Sequence, residues 1–298
     1  MVEVKQKIIP HLWFDKEAKE AARFYTSLFP ASKITSTTTL HNTPSGDSDI
    51  VSFDLAGYQF MAISAGPLFK FNPSVSFLAA CQTKEELDAS WNELSKGGKP
   101  LMDLGTYPFS EKYGWIIDKY GLSWQLMFFG DFPIKQKIIP TLMFVSRVAG
   151  KAEEAINFYV SVFHNAKVGD IARYGKGEEP DIEGTVKHAN FTLEGHEFSA
   201  MDSALEHKFA FNEAISFMVF CDSQEEIDYY WEKLSAVPEA EQCGWLKDKY
   251  GASWQVTPTI LQEMMKNGSR EQIDRVTQAF LPMKKFDIAK LEEAYDEK

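Results

Sequence analysis

KIIPHLWF, at Lys7–Phe14, returns further along the chain as KIIPTLMF, at Lys137–Phe144. The segments downstream of each copy return as well. EAARFYTSLFPASKI (Glu20–Ile34) reappears as EAINFYVSVFHNAKV (Glu154–Val168), and FKFNPSVSF (Phe69–Phe77) as FAFNEAISF (Phe209–Phe217). SFLAACQTKEELDASWNELS (Ser76–Ser95) matches SFMVFCDSQEEIDYYWEKLS (Ser216–Ser235) at nine of 20 positions, where composition alone gives about one. YGWIIDKYGLSWQL (Tyr113–Leu126) comes back as CGWLKDKYGASWQV (Cys243–Val256). The chain is therefore a tandem duplication. Module 1 covers 1–131 and module 2 covers 132–258, with Gly130-Asp131-Phe132-Pro133 as the linker and a tail over 259–298.

Each module reads the same way. Ile8–Phe14 is a short run of Ile and aromatics, the pattern of a buried strand. Ala18, Ala21, Ala22, Tyr25, Leu28 and Phe29 then recur at helical spacing until Pro30 stops the helix. Ala56-Gly57 sits between two apolar runs as a two-residue hairpin turn, and Glu194-Gly195 repeats it. Val75–Cys81 is a further strand. Thr83 with Glu86, and Ser223 with Glu226, have the spacing of a capping box opening the next helix. Two strands joined at Asp118–Gly121, or Asp248–Gly251, end each module. The order strand, helix, strands occurs twice per module, which predicts an α+β fold with helices against sheets.

The copies differ between the helix and the last hairpin. Ser95 and Tyr113 are 18 positions apart, but Ser235 and Cys243 only 8. Module 2 thus loses LMDLGTYPFSEK and, with it, an edge strand and a loop. The tail has no counterpart in module 1. Ser269 with Gln272 opens one helix and Asp287 a last one, IAKLEEAY, whose apolar Ile288, Leu291 and Tyr295 predict a helical appendage on module 2.

Composition limits the function. Among 298 residues, 44% are apolar and 14% aromatic, enough for a sizeable core. A net charge of −12, with no basic stripe, argues against a nucleic-acid partner. No run of about 18 apolar residues spans a membrane. The N-terminus reaches charged residues too early for a signal peptide. Three scattered cysteines (Cys81, Cys221, Cys243) suit a reduced compartment, so a cytoplasmic protein is expected. No phosphate loop, G-x-G-x-x-G turn, H-E-x-x-H or G-x-S-x-G elbow is present.

The strand IIPHLWF, the helix closing in Phe24-Tyr25…Leu28-Phe29 and the final D-x-x-G-x-x-W-Q hairpin resemble the vicinal oxygen chelate superfamily of glyoxalases, bleomycin-resistance proteins and extradiol dioxygenases. KFNPSVSF, CGWLKDKYGASWQV and the tail look like its 3-demethylubiquinone-9 3-methyltransferase-domain branch. LMDLGTYPFSEKYGWIIDKYG looks like the PhnB-like relatives. The resemblance implies paired βαβββ units in each module, forming a curled mixed sheet around a cleft. It also implies metal ligands on the first and last strands of each unit. Carried across, those positions fall on His11 and Gln125, with the middle ones near Ala62 and Ser74. In module 2 they fall on Thr141, about Ala200, about Ala214 and Gln255. One His and one Gln do not supply three or four donors, so neither a metal nor another cofactor is expected. The methyltransferase label is taken as inherited with the family name.

The candidate ligand-binding residues are His11, Trp13, Asn72, Tyr113 and Gln125 in module 1, and Thr141, Asn212 and Gln255 in module 2. His11 is balanced between ligand contact and a satisfied core histidine, whereas Cys81 and Cys221 look like small core residues. Module 1 is expected to hold the more functional cleft. It has His11 to exchange protons near neutral pH, Trp13 to stack a ligand, and Tyr107 and Phe109 as a lid. The leading function is binding of a small aromatic or carbonyl compound, with metal-independent catalysis left open. The alternatives are non-catalytic sequestration and a metal-dependent lyase or dioxygenase. The partner is the small molecule itself. The modules should pack as an internal pseudo-dimer, and a homodimer is left open.

Overall fold

The computed structural model describes residues 6–297. Four βαβββ units follow one another, the last of them shortened. The first holds β1 (Ile8–Phe14), α1 (Ala18–Leu28), β2 (Lys33–Thr43), β3 (Gly46–Leu55) and β4 (Tyr58–Ser64). The second holds β5 (Val75–Cys81), α2 (Lys84–Leu94), β6 (Lys99–Tyr107), β7 (Ser110–Ile117) and β8 (Ser123–Phe128). The third holds β9 (Ile138–Phe144), α3 (Ala152–Val162), β10 (Lys167–Arg173), β11 (Val186–Leu193) and β12 (His196–Asp202). The fourth keeps β13 (Ile215–Cys221), α4 (Gln224–Leu234), β14 (Trp245–Lys247) and β15 (Ser253–Pro258). The tail forms α5 (Thr259–Asn267), α6 (Arg270–Phe280) and α7 (Ile288–Asp296).

The sheets do not follow the repeats. One runs β14-β15-β13-β1-β4-β3-β2, joining the first unit to the fourth. The other runs β10-β11-β12-β9-β5-β8-β7-β6, joining the third to the second. Each junction is an antiparallel pair between repeats: His11 lies opposite Ser216 across β1 and β13, and Thr141 opposite Ser76 across β9 and β5. The two units of one repeat meet instead through their helix-bearing faces. Phe60 of the first unit packs on Phe77 of the second at 5.0 Å, and Tyr25 on Trp124 at 5.3 Å.

Asp118 ties the halves of repeat 1 together. Its Oδ2 accepts from Tyr25 Oη (2.7 Å) and Trp124 Nε1 (3.0 Å), and its Oδ1 from the Tyr120 and Leu122 amides. Asp248 does the same with Tyr159, Trp254 and the amides of Tyr250 and Ala252. Each aspartate therefore both shapes its hairpin turn and ties the halves of its repeat together. Burial pushes both carboxyls up, against the hydrogen bonds that pull them down.

Strand alternation divides core from cleft. Ile8, Leu12 and Phe14 point into the apolar core beneath the helices, as do Val75, Phe77, Ala79 and Cys81. Ile9, His11 and Trp13 point the other way. The turns obey their residues: Ala56 and Gly57 take φ of 51° and 89°, and Glu194 and Gly195 take 51° and 80°, the double left-handed turn of a tight hairpin. The capping boxes on α2 and α4 are half formed. Thr83 and Ser223 receive the Glu86 and Glu226 amides, but those glutamates bond the amides of Gln82 and Asp222. The Ser269–Gln272 box is complete.

Among the described residues, no strand beside β14 corresponds to β6, and the tail lies on that flank. The Cys243 and Gly244 amides donate to the carbonyls of Met283 and Lys284, both at 2.7 Å. Gln224 holds the Phe286 carbonyl and the Ile288 amide. At the sheet's other edge, α5 and α6 lie against β2. The tail thus connects the two edge strands of the first sheet.

Candidate functional site

Two concave faces result, one per sheet, and each takes residues from both repeats. This corrects the expected grouping of site residues. His11 and Trp13 share a sheet with Gln255, whereas Tyr113 and Gln125 share the other with Thr141. The cleft expected within module 1 is thus divided between two clefts. Tyr107 and Phe109 also belong to the second: they stack on each other and pack edge-on against Tyr113, far in topology from His11.

In the His11 cleft, one row of cross-strand neighbours reads Lys247, Ser253, Ser216, His11, Met61. The next reads Trp245, Gln255, Met218, Ile9. Gln255 Nε2 donates to Ser216 Oγ at 2.8 Å. Trp13 gives its indole N–H to the Gly66 carbonyl (2.8 Å); Phe69 and Trp245 stand edge-on to it. Trp245 also stands edge-on to His11, with ring centroids 5.5 Å apart. His11 Nδ1 and Ser253 Oγ are buried and have no hydrogen-bond partner. Such a group costs about 1–3 kcal/mol, so two in one cleft require an explanation.

The second cleft has the same plan, with the counterparts of those side chains paired. Gln125 Nε2 donates to Ser76 Oγ (2.8 Å), and Tyr113 Oη donates to Gln125 Oε1 (2.7 Å). Thr141 and Ser199 share a 2.7 Å hydrogen bond. Trp115, the repeat of Trp245, donates from Nε1 to Ser123 Oγ at 2.7 Å. Gln125 and Gln255, read from the sequence as ligand-binding candidates, thus bond side-chain hydroxyls.

One expectation about His11 needs correction. Burial removes water from the imidazole and lowers its pKa to about 3, so His11 is neutral at physiological pH and does not exchange protons there. Its neighbours also fail the requirements of a metal. The position near Ala62 lies in the core; the residue beside His11 on β4 is Met61, and the corresponding residue beside Thr141 is Ser199, not Ala200. No carboxylate joins the imidazole in this row. Among the described residues no group of three His, Cys, Asp or Glu is arranged to hold a metal ion. The donor set does not fit the metal that the fold family implies.

Asn72 and Asn212 belong to neither set of cleft partners. Asn72 donates to the Ala210 carbonyl and accepts from the Ser74 amide; Asn212 donates to the Lys70 carbonyl and accepts from the Ala214 amide. They staple the two repeats to each other. Cys81 and Cys221 are buried, with thiols pushed up to about 12. Cys243 lies against the tail with its thiol raised by burial. Sequence reasoning passes over Trp245, Ser253 and His188. The first two lie opposite Gln255 and two residues before it, so strand alternation from that glutamine could have found them. His188 alternates with the core residues Ala189 and Phe191 and so shares the Thr141 side of its sheet.

The family model described as 3-demethylubiquinone-9 3-methyltransferase matches this chain twice, over residues 6–127 and 136–257. The chain belongs to that family. Family membership therefore covers both repeats, and the tail lies outside it. A putative 3-demethylubiquinone-9 3-methyltransferase, PhnB protein, from Bacillus cereus is 43% identical over 41% of this chain and 99% of its own, with a TM-score of 0.39. Glyoxalase I from Zea mays is 14% identical over 86% of this chain and 95% of its own, with a TM-score of 0.51. A mutant form of that enzyme gives 15% identity, 88% and 98% coverage and a TM-score of 0.51. At that identity the likeness shows the glyoxalase-like fold in tandem and nothing of activity. Among curated proteins, none matches this chain. Among the described residues, no helix is long and apolar enough to cross a membrane.

Proposed function

We propose that the protein binds a small, uncharged, planar aromatic or conjugated molecule in the His11 cleft, and holds it without a metal and without proton transfer by His11. The observation that carries this reading is the buried, unpartnered Nδ1 of His11 among Trp13, Trp245 and Phe69. A neutral imidazole in an aromatic wall accepts or donates one hydrogen bond at little desolvation cost to an uncharged ligand, whereas an ionic one would lose its hydration. The depressed pKa favours retention over general-base chemistry, because an imidazole titrating near 3 is a weak base at neutral pH. Sequestration is accordingly preferred to catalysis. The methyl transfer named in the family's description finds no support in the sequence, which has no glycine-rich strand-to-helix turn for adenosylmethionine.

Native mass spectrometry of the untagged protein, with the released small molecules analysed, tests the proposal. A retained aromatic compound, lost in His11→Thr and kept in Thr141→Ala, is the expected result. Retention unaffected by His11→Thr but lost in Thr141→Ala would move the site to the other cleft.

A further inference from the structure

The duplicated chain places the same tryptophan in two different seats. Trp115 lies opposite Gln125 on the last hairpin of its sheet and Trp245 lies opposite Gln255. Each has a serine two residues before that glutamine, Ser123 or Ser253. Trp115 Nε1 bonds Ser123 Oγ at 2.7 Å. Trp245 leans onto His11 and Trp13 instead, and Ser253 Oγ is left buried without a partner.

The backbone entering the two tryptophans differs in the same sense. Tyr113 and Gly114 lie inside β7, whereas Cys243 and Gly244 have φ of 50° and 81° and are bonded to the tail at Met283 and Lys284. The tail's grip on this turn accompanies the altered seat. Two packed arrangements of one indole, each bonded or packed in one copy of the repeat, are the ingredients of a two-position side chain.

We infer that Trp245 is the gate of the His11 cleft, swinging between its edge-on seat on His11 and a second seat, the one Trp115 occupies, in which its indole N–H bonds Ser253. The swing pairs the orphan hydroxyl and lifts the indole off the His11 ring. It vacates a slot the size of an indole between Trp13 and His11. The occupant that fits is a planar aromatic of one or two rings with a hydrogen-bonding group on the edge that meets His11. Trp245 is thus a specificity-determining residue, deepening the binding reading on which it rests: it sets the thickness and width of what enters.

The test uses the full chain and needs no ligand. Diethyl pyrocarbonate acylates an unprotonated imidazole that it can reach, and peptide mapping by mass spectrometry reports each histidine separately. Trp245→Ala should raise the rate of His11 modification at least tenfold. Ser253→Ala, which deletes the open seat's acceptor, should lower it several-fold, with His41 as the internal reference. Trp115→Ala should leave it unchanged. With 5-fluorotryptophan incorporated, the Trp245 fluorine resonance, assigned by its loss in Trp245→Phe, should show a second exchanging position that disappears in Ser253→Ala. A single unexchanging resonance, with a His11 rate indifferent to Ser253→Ala, would overturn the gate. Because these readings involve no bound molecule, a failed gate and a failed binding proposal are distinguishable.

Discussion

The two clefts are one design carried out twice, and they differ in where their polar groups go. In the Thr141 cleft, Tyr113, Gln125 and Ser76 form a hydrogen-bonded chain, Thr141 bonds Ser199, and Trp115 bonds Ser123. In the His11 cleft, Gln255 keeps only its bond to Ser216, while His11 Nδ1 and Ser253 Oγ have no partner. A face whose polar groups satisfy one another stabilises the sheet. A face with vacant, buried donors and acceptors among aromatic rings has stability withheld from it and something to offer a ligand. Duplication permits this divergence, because each cleft draws on both repeats and either can change without losing the shared core.

The largest expected effect concerns acid stability. His11 is held neutral in the fold while its unfolded counterpart takes up a proton below about pH 6.5. With the folded pKa lowered to about 3, stability is lost as pH falls from about 6.5 towards 3 and no further below that. The slope is at most about 1.4 kcal/mol per pH unit. Denaturant unfolding of wild type and His11→Thr across that range should show the variant gaining on wild type as pH falls, by up to several kcal/mol. Parallel curves would mean that His11 is accessible to protons in the folded state.

Next come the two glutamines. Gln125→Ala strands both Ser76 Oγ and Tyr113 Oη, which should cost about 2–4 kcal/mol. Gln255→Ala strands Ser216 alone and should cost about 1–3 kcal/mol. Urea midpoints at unchanged m-value measure the gap. Equal losses would show that the hydrogen-bonded chain on the Tyr113 side adds nothing.

The paired serines should differ in sign. Ser123→Ala removes the acceptor of Trp115 and should lower stability by about 1 kcal/mol. Ser253→Ala deletes a hydroxyl with no partner and should be neutral or raise stability by up to about 1 kcal/mol. Thermal melts of the two variants side by side decide it, and a destabilised Ser253→Ala would point to a partner for that hydroxyl in the resting state.

The smallest effect checks that the frame itself is symmetric. Lys7 pairs with Glu226 and Lys137 with Glu86, both at 2.6 Å and both across a repeat junction. Lys7→Met and Lys137→Met should each cost about 0.5–1 kcal/mol, equally within error. A large inequality would locate the asymmetry in the junctions rather than in the clefts.

The duplication, the four strand-helix-strands units, the hairpin turns and the missing edge strand were all legible in the sequence. They depend on local periodicity and turn chemistry, which the chain carries residue by residue. So was the fold family, because motifs such as the D-x-x-G-x-x-W-Q hairpin are contiguous. The sequence also argued against a metal-binding set, since the positions that the family uses for ligands hold one His, two Gln and otherwise Thr, Ser and Ala. What only the tertiary structure decided is which residues meet. The partner of a sheet edge is a long-range matter, and β1 pairs with β13 from the other repeat, so His11 faces Ser216 and Gln255 rather than Gln125. Burial, too, is collective. The same imidazole would titrate near neutrality at a surface and titrates near 3 here, because the rings and strands around it exclude the water that would solvate its charge.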